Sequence, residues 1–134
     1  LRLVGAQHLM LGVDWVRNMG LDSQRMLARI ARPELTDQTM GYQLRLAFGR
    51  PAMEFRGDWQ FNLAWRHLEA DAVLDAFADS DFHLGGTNHR GYAVGAQYAL
   101  ARNTWLSAQW LSTREVTGPP LAIDVFNLQL HGRF

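Results

Sequence analysis

Cysteine is absent from the 134 residues, so no disulfide framework and no thiolate metal site is available, and the redox compartment stays open. Lysine is absent too: the 13 basic residues are all arginine, a compositional bias with no functional reading of its own. Thirteen acidic residues bring the formal net charge to +0, which removes any bulk attraction to nucleic acid or anionic surfaces. No run approaches the roughly 18 consecutive apolar residues of a membrane helix, and mean hydropathy is slightly negative at -0.18. That excludes helical spans only, because strands that cross a bilayer hide behind their polar alternate residues. An initiator methionine and a charged-then-apolar leader are also missing, so the expectation is a fragment without its signal peptide and upstream strands.

What the chain has is alternation. Counting back from the end by twos gives Phe134, Gly132, Leu130, Leu128 and Phe126, with Arg133, His131, Gln129 and Asn127 between them. Period two over such a length is a strand long enough to cross a bilayer when tilted. An aromatic last residue after apolar alternate positions resembles the terminal signal of bacterial outer-membrane barrels, here carried by Phe126, Leu128, Leu130 and Phe134. Gly132 departs from that pattern, where a bulkier residue is usual. An edge strand of a soluble sheet fits this segment equally well.

Further rows of the same kind precede it. Leu9, Leu11, Val13 and Trp15 oppose Met10, Gly12, Asp14 and Val16; Tyr42, Leu44, Leu46 and Phe48 oppose Gly41, Gln43, Arg45 and Ala47. Trp59, Phe61, Leu63 and Trp65 oppose Asp58, Gln60, Asn62, Ala64 and Arg66; Tyr92, Val94, Ala96 and Tyr98 oppose Gly91, Ala93, Gly95 and Gln97. In residues 104–113 the better row is Leu106, Ala108 and Trp110, with Gln109 opposed and Trp105 left on the other parity. The connections alternate: 18–40 long, 50–57 short, 68–90 long, 101–103 short, 114–121 intermediate. Short helices are expected in the long ones, at Met26, Leu27 and Ile30 between a Ser23 cap and Pro33, and at Ala70, Val73, Leu74 and Phe77.

The pattern predicts an all-β fold: an antiparallel up-and-down transmembrane β-barrel segment, a single domain over 1–134, its short turns on one side and long loops on the other. About six strands are too few to close, since about eight is the smallest such barrel, so they belong to a larger wall. Rings recur near both ends of a row (Tyr42 with Phe48, Trp59 with Trp65, Tyr92 with Tyr98, Phe126 with Phe134), as at the two interfaces of a bilayer. With Trp15, Phe61 and Trp110 they make the expected lipid-facing set. Six residues at about 3.3 Å, tilted about 40°, rise only about 15 Å against an apolar band of about 25 Å, so the strands must extend beyond the rings.

The opposite row, expected to face a water-filled lumen, is Asp14, Gln43, Arg45, Asp58, Gln60, Asn62, Arg66, Gln97, Gln109, Asn127, Gln129 and Arg133. Arg45, Arg66 and Arg133 against Asp14 and Asp58 lean slightly cationic, a weak preference for anions unless the charges pair across neighbouring strands. Catalytic chemistry finds no support. Asp75, Asp79, Asp81, His83 and His89 match no calcium or zinc spacing, Gly85, Gly86 and Gly91 lack the strand and helix of a phosphate cradle, and no nucleophile elbow or triad context appears. The reading is a non-enzyme with no metal and no cofactor.

The stretches GDWQFNLAWRHLEADAVLDAFADSDF, GGTNHRGYAVGAQYALARNTWLSAQW and LAIDVFNLQLHGRF, preceded by LMLGVDWVRN and GYQLRLAFG, resemble the carboxyl-terminal part of the putative-porin family of bacterial outer-membrane proteins. The resemblance covers nearly the whole chain. It implies a multi-pass β-barrel porin in the outer membrane of a Gram-negative cell, passing small hydrophilic solutes or ions passively. The partners it implies are membrane lipids, the barrel-assembly machinery, the solutes and a further copy in a homo-oligomer, with no nucleic acid. Two other readings stay open: a soluble β-barrel with Trp59, Trp65 and the leucine rows lining an apolar cavity, and a plugged outer-membrane barrel serving as anchor or adhesin.

Overall fold

A computed structural model describes residues 7–20, 38–73, 83 and 85–133. Within them the chain forms six strands: β1 His8–Arg17, β2 Met40–Gly49, β3 Trp59–Leu68, β4 His89–Ala101, β5 Thr104–Glu115 and β6 Ala122–Gly132. They lie in one sheet in sequence order, every neighbouring pair antiparallel. Consecutive antiparallel strands need only local turns, which suits a chain whose alternating rows are separated by polar, Gly- and Pro-containing stretches.

The strands run further than the rings alone indicate. β4 has 13 residues and β6 starts at Ala122, well ahead of Phe126. At about 3.3 Å per residue and a tilt of about 40°, strands of this length rise about 23 to 30 Å, which removes the shortfall in height.

Two short connections are shaped by local chemistry. Gly49 ends β2 at a φ of 125°, and a Cβ there would collide with the Trp59 carbonyl, which accepts from the Arg50 amide at 2.8 Å. β4 and β5 are joined by Arg102 and Asn103; only Asn103 is left-handed, at a φ of 55°, so the connection is not a primed two-residue turn but one that ends on a left-handed residue beside a bulge. A register shift between Ala99 and Ala101 takes up the extra residue beside it.

The helix expected from Ala70 to Phe77 does not start where predicted. Ala70 to Val73 form turn and bend, drawn back by the Ala72 amide donating to the Glu69 carbonyl at 3.2 Å. The rest of that segment, the helix predicted after Ser23, and Phe134 lie outside the described residues. No helix occurs among the described residues.

The sheet curls without closing: among the described residues β1 and β6 each have one neighbour and do not touch. Curling shows in the loops. Thr117, between β5 and β6, donates its hydroxyl to Gln38 Oε1, just ahead of β2, at 3.0 Å. In a flat sheet the three intervening spacings would hold β2 and β5 about 14 Å apart.

Candidate functional site

Pairing register puts most of the rings and aliphatic side chains of the six strands on one face, Trp105 excepted, and the amides on the other. The ring face is open. Leu11 is 73% exposed, Leu128 60% and Trp65 40%; Trp15, Phe48, Phe61, Tyr92, Tyr98, Trp110, Phe126 and Leu130 are exposed as well, and Tyr42 and Trp59 are half-buried. Its rings form two bands. Phe48 meets Trp59 edge-on at 5.4 Å toward the short turns, and Tyr42 meets Trp65 at 5.2 Å toward the long loops. A contiguous apolar face running across six strands is far larger than soluble monomers leave uncovered.

The opposite face is concave and more buried. Toward the short turns a hollow of about 500 Å³ is lined by Gln60, Asn62, Gln97, Gln109, Asn127 and Gln129, contributed by four strands. These are uncharged side chains that both donate and accept. Ser107 Oγ and His131 Nε2 lie 2.8 Å apart on the same wall, and His131 stacks on Trp105 at 5.0 Å. Trp105 therefore belongs to the amide face, as its parity indicates. Ser107 and His131 are lining residues that the sequence reading left out, although His131 stands in the polar row.

Charges on this face are tied to neighbours. Arg45 Nη2 sits 2.8 Å from Asp14 Oδ2, and Arg66 donates through Nε to Gln43 Oε1. The Asp14–Arg45 pair is about half exposed, so its contribution to stability is about 0 to 1 kcal/mol and its effect is mainly on the local field. Arg133 follows β6 and is exposed, its amide bonded to the Asn103 carbonyl at 2.9 Å.

Asp58 has the parity of a lining residue but serves as the clasp of the 50–58 connection. Its carboxylate accepts from Arg50 Nε at 3.0 Å, the Phe55 amide at 2.8 Å and the Glu54 amide at 3.1 Å. Burial pushes its pKa up, but the Phe55 amide, the Arg50 guanidinium and the Glu54 amide outweigh that and hold it below the usual carboxylate value.

Toward the long loops the amide face turns apolar and is roofed. Ala93 and Leu111 are 9% and 4% exposed, with Ala64 and Val125 packed against them. His83, from the connection between β3 and β4, reaches in to place Nδ1 2.8 Å from Thr113 Oγ1, its ring 5.6 Å from that of His89. The loops are also bonded to one another: Asn18 Nδ2 donates to the Asp71 carbonyl at 2.9 Å, the Thr87 hydroxyl to the Ala70 carbonyl at 2.6 Å, and Asn88 Nδ2 to the Thr117 carbonyl at 2.8 Å. Of the loop carboxylates weighed as metal ligands, Asp75, Asp79 and Asp81 lie outside the described residues. No group of three or more potential ligands occurs among the described residues.

Comparison with known proteins comes down to one match: the family model described as "putative porin" covers residues 1–134. No curated protein and no solved structure matches the chain.

Proposed function

The chain belongs to the putative porin family, and from that premise we propose that its six strands are one part of an outer-membrane channel wall through which small hydrophilic solutes or ions diffuse passively. The ring face meets lipid and the amide face wets the lumen. One observation carries this reading: the same sheet leaves its rings and leucines exposed while the concave side holds a hollow of about 500 Å³ lined by amides. In water that arrangement exposes the wrong side; in a bilayer it satisfies both. The soluble ligand-binding alternative needs Trp59 and Trp65 to line an enclosed apolar cavity, and the exposure of Trp65 counts against it. Further strands complete the wall between β6 and β1, because two unpaired edges cannot stand in hydrocarbon.

A plugged barrel is the second reading, favoured by the roof of bonded loops and by His83 reaching onto Thr113. Planar-bilayer recording of the full-length protein separates the two. Discrete conductance steps are the expected result, and their absence in a correctly folded preparation sinks the channel in favour of the plug.

A further inference from the structure

The ring face carries a charged row that neither the channel wall nor the ring bands explain. One position beyond Trp65 and Tyr92, toward the long loops, His67 pairs with Arg90 and Arg90 with Arg114, across three adjacent strands on the same face. Side chains directly opposite on antiparallel strands have Cβ atoms about 5 Å apart, and like charges so placed repel. Among the described residues neither arginine makes an ion pair or a side-chain hydrogen bond, and both are exposed. Asp124 shares the face but lies opposite Ser112, one pair away, without bridging to Arg114. Glu69 is already engaged, with Oε2 accepting from the Met40 amide at 2.8 Å and Oε1 lying 3.7 Å from His67 Nε2.

We propose that Arg90 and Arg114, with His67 beside them, hold the phosphate of a lipid headgroup in the leaflet at the loop end of the sheet. The inference rests on the ring face meeting lipid. On that footing the row sits level with Tyr42, which stacks on His67 at 4.9 Å, and one pair past Trp65 and Tyr92, at the depth where headgroups begin. Paired guanidinium groups present parallel N–H donors that match phosphate oxygens, and a phosphomonoester bears the charge that cancels both. The repulsion between the arginines then becomes a site for a shared anion.

The test uses the full protein reconstituted in vesicles and the fluorescence of its tryptophans, quenched by lipids with brominated chains. Brominated phosphatidic acid is expected to compete with brominated phosphatidylcholine for the ring face with about thirtyfold preference, as two basic side chains near a charged surface supply. R90Q/R114Q brings the preference to about unity, whereas R90K/R114K retains most of it and R56Q, at the short-turn end, leaves it intact; far-UV circular dichroism confirms that each variant is folded. Equal quenching by both lipids in the wild type, or a preference that survives R90Q/R114Q, overturns the proposal. A preference abolished by millimolar inorganic phosphate assigns the site to a free anion and overturns the lipid as its source. Failure of brominated phosphatidylcholine to quench at all would instead strike the lipid-facing reading itself, so the two failures are told apart.

Discussion

Asp58 shows how a side chain with the parity of a lining residue can hold a turn together. Alternation puts it on the polar face, but three donors converge on its carboxylate and make it the fastener of the 50–58 connection. Because folding lowers its pKa, its stabilising contribution is complete above about pH 4 and is lost as pH falls below that value. Asp58→Ala is expected to lose about 1 to 3 kcal/mol, leaving two amides and a guanidinium without their acceptor. Urea unfolding at pH 7 and pH 3 checks both statements, since the variant should trail the wild type by less at the lower pH. Gly49→Ala is expected to cost at least as much, because the left-handed backbone and the Trp59 carbonyl both refuse a Cβ. On the channel reading, Asp14→Asn frees Arg45 to act on passing ions. A reversal potential measured in a salt gradient should then shift toward greater anion preference.

β3 states the case for a lipid-facing sheet most sharply. Its row Trp59, Phe61, Leu63, Trp65 stands between β2 and β4 with no layer of the described residues over it, Leu63 being 39% exposed. Leu63→Arg is accordingly expected to destabilise folding into vesicles by about 2 to 4 kcal/mol, the cost of a cation near a bilayer's midplane. The same change at an ordinary exposed site of a soluble sheet would be nearly neutral, so a measured change under 0.5 kcal/mol, on the order of surface substitutions, would weigh against lipid contact. Such rows were fully legible in the sequence because a face requirement writes itself at period two. So were the five connections, to within a few residues. Strand ends were less legible: outside the rings β4 and β6 are held by ladder bonds to neighbours rather than by side-chain pattern, so Ala122 and Ala101 gave no signal. Arg90 and Arg114 had the right parity but lay in what looked like loop, and His67 stood just before it. The inward reach of His83 and the Gln38–Thr117 bond depend on how the sheet curls, which single-strand patterns do not encode.

For the molecule as a whole, the expectation is dependence on detergent or lipid. A preparation that remained monodisperse in plain buffer would contradict an exposed apolar face on six strands. The hollow's lining is dominated by amides and includes no arginine or carboxylate, and elsewhere on the same face Arg45 and Arg66 each have a partner. On the channel reading, weak selectivity is expected, rather than the steep preference of a charged constriction.

The up-down order has one more consequence. Because β1 and β6 run in opposite directions and both meet the same rim, antiparallel closure admits only complements of two, four or more added strands. Whatever finishes the cylinder arrives as whole hairpins, and a single extra strand would leave one seam with both edges pointing the same way.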